Sequence, residues 1–191
     1  MRTGYDAVNP AHIPAAANSP SAVVFGYVNG PVSVWPAAAW SRWPHARKLR
    51  IDALGTAPHG SDILDVTDGV GNGKAKTWAA ARAAMGWTSC LYAQSSDLAA
   101  LRAEVAGIPH VSYWLANWSL HEAEAAALVH GDVVAVQWAS PTSNGLAGYD
   151  LSVVSEAWFP AAVAKPAPAP VVTQGQAVGA LATLTAYVAR G

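Results

Sequence analysis

Acidic side chains stand on three of the strands that the sequence predicts. Asp6 lies on the first predicted strand, Asp65 on the fourth, and Asp150 at the start of the eighth. Residues two apart on a strand point to the same face, so Asp65 and Thr67 should face one site. Two carboxylates in these positions would form the acid pair that cleaves glycosidic bonds. Because Thr67 carries a hydroxyl instead, the sequence predicts a carboxylate site that lacks one member of a catalytic pair.

Two further aspartates are weaker candidates for this site. Asp52, on the third predicted strand, is a candidate fourth acid, although a lone aspartate at a strand end is more commonly a helix cap or a turn contact. The side chain of Asp68 should face away from that of Thr67. Asp68 therefore replaces the missing acid only if the strand ends at Thr67 and the backbone turns there.

The aromatic residues favour a saccharide as the ligand. The chain has nine tryptophans, and an indole ring offers a large apolar face with a polar edge. For each of them taken singly, packing in the core is the default interpretation, and a place in a saccharide groove is the alternative. The aromatic residues expected near the rim of the site are Trp35, Tyr92, Trp114, Trp118, Trp138 and Tyr149.

Other kinds of catalytic site have weak support. Cys90 lies in an apolar run, which favours a buried and unreactive thiol. The six histidines show no metal-ligand spacing, and no Gly-x-Ser-x-Gly elbow is present. Residues 69–74 lack the spacing of a phosphate loop, and Ala75 stands where Ser or Thr should bind magnesium. The sequence thus indicates no metal and no organic cofactor.

Composition limits the class of partner. The 191 residues are 52% hydrophobic and 12% charged, which is typical of a globular chain with one sizeable domain. A net charge of −1 without a basic stripe argues against nucleic acid. No apolar stretch approaches the roughly 20 residues of a membrane span, so no membrane partner is expected. We also expect no signal peptide, because Met1 and Arg2 lead almost directly into a strand.

Eight strands alternate with helices between residues 4 and 155. Helices are predicted at 36–43, 74–85, 97–106 and 121–129, and none between the third and fourth strands. This alternation favours a parallel α/β barrel that lacks helices around strands three, seven and eight. An open doubly wound sheet is the alternative. In a parallel barrel, the site lies at the C-terminal ends of the strands.

The composition changes past Pro160. Residues 161–174 are rich in proline and alanine and predict an extended linker. Residues 175–191 place apolar side chains three and four apart, which predicts a short apolar helix that packs on the barrel or docks on a partner. The expected domain division is 1–160, 161–174 and 175–191.

Six short motifs follow one another in a characteristic order. They are Tyr5-Asp6, Leu64-Asp65-Val66, Leu91-Tyr92, Tyr113-Trp114-Leu115-Ala116, Val136-Gln137-Trp138 and Gly148-Tyr149-Asp150-Leu151-Ser152. This order resembles glycoside hydrolase family 25, the Chalaropsis-type lysozymes, and in particular its short actinobacterial and phage members. The similarity covers residues 4–160.

The resemblance implies an incomplete TIM-like (β/α)5β3 barrel that acts on peptidoglycan, at the bond between N-acetylmuramic acid and N-acetylglucosamine. It implies catalytic roles for Asp6, Asp65 and Asp150, and it places the proton-donating Glu of the family at Thr67. The substrate-binding residues that it implies are Tyr92, Trp114, Gln137, Trp138 and Tyr149.

Thr67 leads us to expect a catalytically impaired lysozyme-like module that binds cell-wall glycan or serves structurally. The expected lack of a leader, the linker and the apolar tail suggest a phage virion accessory protein, either a capsid decoration or a tail component. Such a protein is made in the host cytoplasm, acts on the virion or at the host cell wall, and docks on a virion protein through residues 175–191. An active muramidase, in which Asp68 or another acid donates the proton, is the alternative. A barrel that serves only assembly is the third hypothesis.

Overall fold

The sheet is a closed barrel in which eight strands follow one another in sequence order. A computed structural model describes residues 1–30, 34–67 and 69–158. Strands β1 to β7 run parallel, whereas β8 is antiparallel to both β7 and β1. The strands are β1 (Arg2–Asp6), β2 (Ala22–Asn29), β3 (Arg47–Asp52), β4 (Ile63–Asp65), β5 (Ser89–Gln94), β6 (Val111–Ala116), β7 (Val133–Ala139) and β8 (Asp150–Val154). The α/β barrel is confirmed, and the prediction that all its strands are parallel is wrong for β8.

Helices cover the connections unevenly. The α-helices in the described part of the chain are α1 (Ala37–Trp40), α2 (Lys74–Ala84), α3 (Leu98–Glu104), α4 (Glu122–Leu128) and α5 (Pro141–Asn144). Short 3-10 helices at Pro10–His12 and Ala15–Ala17 follow β1. Residues 53–62 join β3 to β4 without a helix, as the sequence predicted.

Aromatic rings fill the interior of the barrel. Phe25 on β2 stacks on Trp114 of β6, with ring centroids 4.3 Å apart. Because β2 and β6 are not neighbours in the sheet, these rings meet across the interior of the barrel. Tyr92 lies 4.4 Å from Trp114. Full burial of each such ring contributes about 1.5–3 kcal/mol to folding, so this stack is a large part of the interior core.

The opposite faces of the strands pack on the surrounding segments, as the alternation of side chains along a strand requires. One outer cluster lies under α2, α3 and α4 and includes Leu64, Trp78, Leu91, Leu101, Leu115, Ala125 and Val136. A second lies under α1 and the 3-10 helices and includes Ile13, Val24, Trp35 and Trp43. Strands β2, β5 and β6 therefore contribute both to the interior and to an outer cluster.

The described chain ends at Trp158, in a 3-10 helix that follows β8. The predicted linker, 161–174, and the predicted apolar helix, 175–191, lie outside the described residues. None of the helices within residues 1–158 that the structure describes is long and apolar enough to cross a membrane.

Candidate functional site

Three carboxylates gather at one end of the barrel. Asp6 and Asp65 are the last residues of the parallel strands β1 and β4, whereas Asp150 is the first residue of β8. Because β8 is antiparallel, its first residue lies at the same end as the last residues of the other strands. Asp6 and Asp150 are direct partners in the β1–β8 register. The three predicted acids therefore share the barrel mouth, which is the end formed by the C-termini of β1 to β7.

Asp6 and Asp150 form a carboxyl pair in which both pKa values are raised. Asp6 is 4% exposed, and burial, followed by the charge of Asp150, raises the pKa of Asp6 well above its ordinary value. Burial also raises the pKa of Asp150 to about 6, and the hydrogen bond to Asp6 opposes this rise. The two carboxyl groups therefore interact, and burial together with the neighbouring charge favours the protonated form of Asp6.

Gln137 on β7 links these acids to the aromatic wall of the mouth. Its Nε2 donates to both carboxylate oxygens of Asp6, at 3.1 and 3.2 Å. Its Oε1 accepts from the Tyr92 hydroxyl at 2.6 Å and from Trp118 Nε1 at 2.9 Å. Gln137 is 1% exposed, and both ends of its amide are used, so its orientation is determined by its four contacts.

Two tyrosines add proton donors around the acids. Burial raises the pKa of Tyr92, and the charges of Asp6 and Asp65 raise it further. The pKa of Tyr27 rises for the same two reasons. Sequence reasoning missed Tyr27, although it lies two residues beyond Phe25 on β2 and so faces the same interior. Both phenols stay protonated at neutral pH and can donate hydrogen bonds.

Thr67 does not extend the strand, contrary to the prediction. Strand β4 ends at Asp65, and the exposed Thr67 lies in the following turn. Thr67 Oγ1 donates to Asp65 Oδ1 at 2.6 Å, and its backbone N donates to the same oxygen at 2.9 Å. The two side chains thus meet through a local turn rather than through strand alternation. Asp68, the suggested replacement acid, lies outside the described residues.

Comparisons of the chain with protein-family models, curated proteins and solved structures found no match.

The predicted substrate-binding residues separate into two groups. Tyr92 and Gln137 contact the acid site, and Trp114 lies beneath it, 1% exposed, with its Nε1 bonded to Ser152 Oγ at 3.1 Å. Trp138 packs against the outer cluster under α2, α3 and α4. Tyr149 packs against the other outer cluster, 6.2 Å from Tyr5. The structure therefore packs Trp138 and Tyr149 against the two outer clusters.

Trp118 is the aromatic side chain of the mouth that remains open to solvent. It is 41% exposed, while its Nε1 donates to the buried Gln137. An indole that is fixed at its edge and open at its surface is suited to contact a ligand above the acids. Trp35, also expected at the rim, is instead buried under α1 with its Nε1 bonded to Ala7 O.

Asp52 organises a loop and does not join the acid site. One oxygen, Oδ1, accepts from the backbone N of Gly55 at 2.7 Å, and the other accepts from Ala57 N at 2.7 Å and from Trp78 Nε1 at 2.9 Å. Burial alone would raise the pKa of Asp52, but these bonds and the one from Asn29 outweigh it and lower the pKa. Asp52 is therefore an ionised structural acceptor.

The remaining candidates are inert in the described structure. Cys90 is fully buried, and burial raises the pKa of its thiol far above neutrality. The glycine-rich loop before α2 binds the protein's own carboxylate, because Gly71 N donates to Glu104 Oε2 at 2.6 Å. Among the described residues, no group of three His, Cys, Asp or Glu side chains is placed to hold a metal ion.

Proposed function

We propose that this chain is a catalytically impaired lysozyme-like module, with a (β/α)5β3 barrel of the family 25 type, that holds cell-wall glycan at the barrel mouth. The observation that carries the proposal is the hydrogen bond from Thr67 Oγ1 to Asp65 Oδ1. It puts a hydroxyl beside the β4 aspartate, at the position where the resemblance expects a proton-donating acid.

The loss of that acid accounts for the expected loss of turnover. A threonine hydroxyl does not protonate a leaving alkoxide at neutral pH. General acid catalysis contributes about 10²–10⁴-fold to a reaction rate, which corresponds to roughly 3–5 kcal/mol of activation free energy. The chain should therefore cleave glycan much more slowly than a relative that keeps the acid.

The groups that remain suit the binding of a polyhydroxylated ligand. Asp65 and Asp150 are only partly buried and can accept hydrogen bonds from sugar hydroxyls. Trp118 is exposed, and its orientation depends on Gln137, which also contacts Asp6. An aromatic face next to a few oriented polar groups is the usual composition of a small-molecule site.

A role on a phage virion is part of the same proposal. It is supported by the Pro/Ala-rich sequence 161–174 and the apolar periodicity of 175–191. Deletion of residues 165–191 should leave a folded barrel that no longer joins its particle. Particles that incorporate the shortened chain normally would contradict this part of the proposal.

An active muramidase is the second candidate. It is favoured by the raised pKa values of Asp6 and Asp150, because a proton donor must be a carboxylic acid that is still protonated close to neutral pH. In that case Asp150, whose pKa is raised to about 6 and which is more exposed than Asp6, would be the donor. Hydrolysis by the natural protein that disappears in Asp150→Asn would favour this candidate.

The deciding experiment measures release of reducing sugar from purified peptidoglycan, together with co-sedimentation of the protein with the same material. We expect the natural protein to bind without measurable hydrolysis and Thr67→Glu to gain activity. The control is Thr88→Glu, an exposed threonine just before β5 at the opposite end of the barrel, which should gain none. Robust hydrolysis by the natural protein would overturn catalytic impairment, and failure to co-sediment would overturn glycan binding.

A further inference from the structure

A groove of about 700 Å³ lies on the outside of the barrel, between α1 and the strands β3 and β4. Its lining includes Trp35, Trp40, Lys48, Arg50 and Asp62. The groove is present because residues 53–62 connect β3 to β4 without a helix, so nothing in this connection covers the outer face of β3. It is on the side wall of the barrel and is separate from the mouth.

One wall of the groove is aromatic. Trp35 and Trp40 lie with ring centroids 4.9 Å apart, directly over Gly26 of β2. A Cβ at Gly26 would come within 2.5 Å of Trp35 and 2.7 Å of Trp40. The absence of a side chain at Gly26 is therefore what allows the two indoles to lie on the sheet.

The floor of the groove is cationic. Lys48 and Arg50 alternate along β3 and so point to the same outer face, about 7 Å apart along the strand. Arg50 is the register partner of Gly26, which places it next to the two indoles. Neither side chain makes a hydrogen bond or an ion pair with another described residue. Both cations are available to a ligand.

The far wall carries an acceptor held in place by the backbone. Asp62 Oδ2 accepts from Arg50 N at 2.9 Å, and Asp62 N donates to Arg50 O at 2.9 Å. Asp62 Oδ1 has no hydrogen-bond partner in the described part of the chain. This oxygen can accept a hydrogen bond from a ligand hydroxyl.

We propose that this groove binds a carboxylated sugar. The sugar ring would lie on Trp40, the more exposed of the two indoles, its carboxylate would pair with Arg50 and Lys48, and a hydroxyl would donate to Asp62. Pairing with the two cations distinguishes this ligand from a neutral sugar, which leaves both of them unpaired. The proposal does not rest on the function proposed for the mouth.

The test uses two sugars that differ by one carboxylate-bearing ether, N-acetylmuramic acid and N-acetylglucosamine. Each is titrated into the full-length, isotope-labelled chain, and backbone amide shifts are followed by NMR. We expect N-acetylmuramic acid to shift the amides of Trp40, Lys48 and Arg50 and to bind there about tenfold more tightly than N-acetylglucosamine. Shifts at Asp150 and Trp118 report the mouth separately, so the two proposals succeed or fail independently.

Two variants and a control make the test specific. Arg50→Gln should weaken binding at the groove about tenfold, and Lys48→Gln combined with Arg50→Gln should remove the preference for the acidic sugar. Lys76→Gln, an exposed lysine on α2, should change neither. Equal binding of the two sugars, shifts confined to the mouth, or tighter binding of a short single-stranded oligonucleotide would each overturn the proposal.

Discussion

Asp6 and Asp150 are direct partners in the antiparallel pairing of β1 with β8, and their carboxyl groups are hydrogen-bonded to each other. The first and last strands of the barrel thus close on a carboxyl pair at the mouth. The pair is supported from β7 by Gln137. Barrel closure and assembly of the acid site are therefore the same structural event.

Because the pKa values of Asp6 and Asp150 are raised, we predict that stability falls as pH rises. Burial raises the pKa of both acids above the ordinary 3.8, to about 6 for Asp150. The folded state therefore holds a proton that the unfolded chain releases at lower pH, and this stabilisation is lost as pH rises through about 6. We expect the free energy of unfolding to fall by on the order of 1 kcal/mol between about pH 5 and about pH 8, after allowance for the partial exposure of Asp150.

Urea denaturation at a series of pH values measures this effect. Asp150→Asn cannot ionise at this position, so its stability should vary less over the same range. If the free energy of unfolding of the natural protein varied with pH as little as that of Asp150→Asn, the pKa values of the carboxyl pair would not be raised.

Because Gln137 has four side-chain contacts, we predict that removal of its amide lowers the free energy of unfolding substantially. Gln137→Met leaves Asp6, Tyr92 and Trp118 without the partners that they have now. Each buried polar group left unpaired costs about 1–3 kcal/mol, so we expect a total loss of about 2–4 kcal/mol in the free energy of unfolding. Tyr92→Phe removes a single bond and should cost about 1 kcal/mol. Equal losses in the two variants, measured by urea denaturation, would contradict the network.

We predict that removal of the buried carboxylate of Asp52 costs much more stability than removal of an exposed carboxylate. Asp52→Ala leaves the backbone donors of residues 55–57 and the Trp78 indole without this acceptor, and should cost about 3–5 kcal/mol. Because its pKa is lowered, its stabilisation is present at neutral pH and is lost as pH falls below 3.8.

The matched control for Asp52 is Asp132. This carboxylate pairs with Arg102 at the surface, with the two side chains 42% and 47% exposed, and Asp132→Ala should cost less than about 1 kcal/mol. Thermal and urea denaturation of the two variants should therefore separate clearly. A similar cost for both would mean that the loop at 53–57 does not need its acceptor.

Gly4 predicts a steric cost inside the barrel. A Cβ at Gly4 would lie 2.6 Å from Phe25 and 2.9 Å from Val154. Phe25 cannot move aside easily because it is stacked on Trp114. We expect Gly4→Ala to lose about 1–3 kcal/mol of stability. Gly60→Ala is the control, since nothing lies within 4 Å of its added Cβ. Its free energy of unfolding, measured by urea denaturation, should be unchanged, and an equal loss in both variants would contradict the steric explanation.

The two tryptophans Trp118 and Trp138 predict different phenotypes. Trp118→Ala removes the exposed ring at the mouth, and we expect binding of soluble peptidoglycan fragments to weaken about tenfold. Trp138→Ala removes contacts with the outer cluster and should lower stability by about 2 kcal/mol with unchanged affinity. Isothermal titration calorimetry measures the affinity of each variant, and urea denaturation measures its free energy of unfolding. Reversed phenotypes would restore the sequence-based assignment of Trp138 to the site.

The sequence alone was sufficient to locate the eight strands and the three acids of the mouth. Alternating apolar residues with glycine and aspartate at their ends identified all eight strands, and β5 was placed at the residues that the structure gives. Asp6, Asp65 and Asp150 were found because acids at strand ends stand out in a chain with only 12% charged residues. These features are local, so neighbouring residues are enough to reveal them.

Only the tertiary structure decided which of these residues meet. The direction of β8 is set by its pairing with β1 and β7, and that direction brings Asp150 to Asp6. The turn at Thr67 depends on the hydrogen bonds that end β4 at Asp65. The face taken by Gln137 and Trp138 depends on register, since neighbouring residues on a strand point in opposite directions. Strand pairing joins residues far apart in the chain, and for that reason the spacing of residues along the sequence does not reveal it.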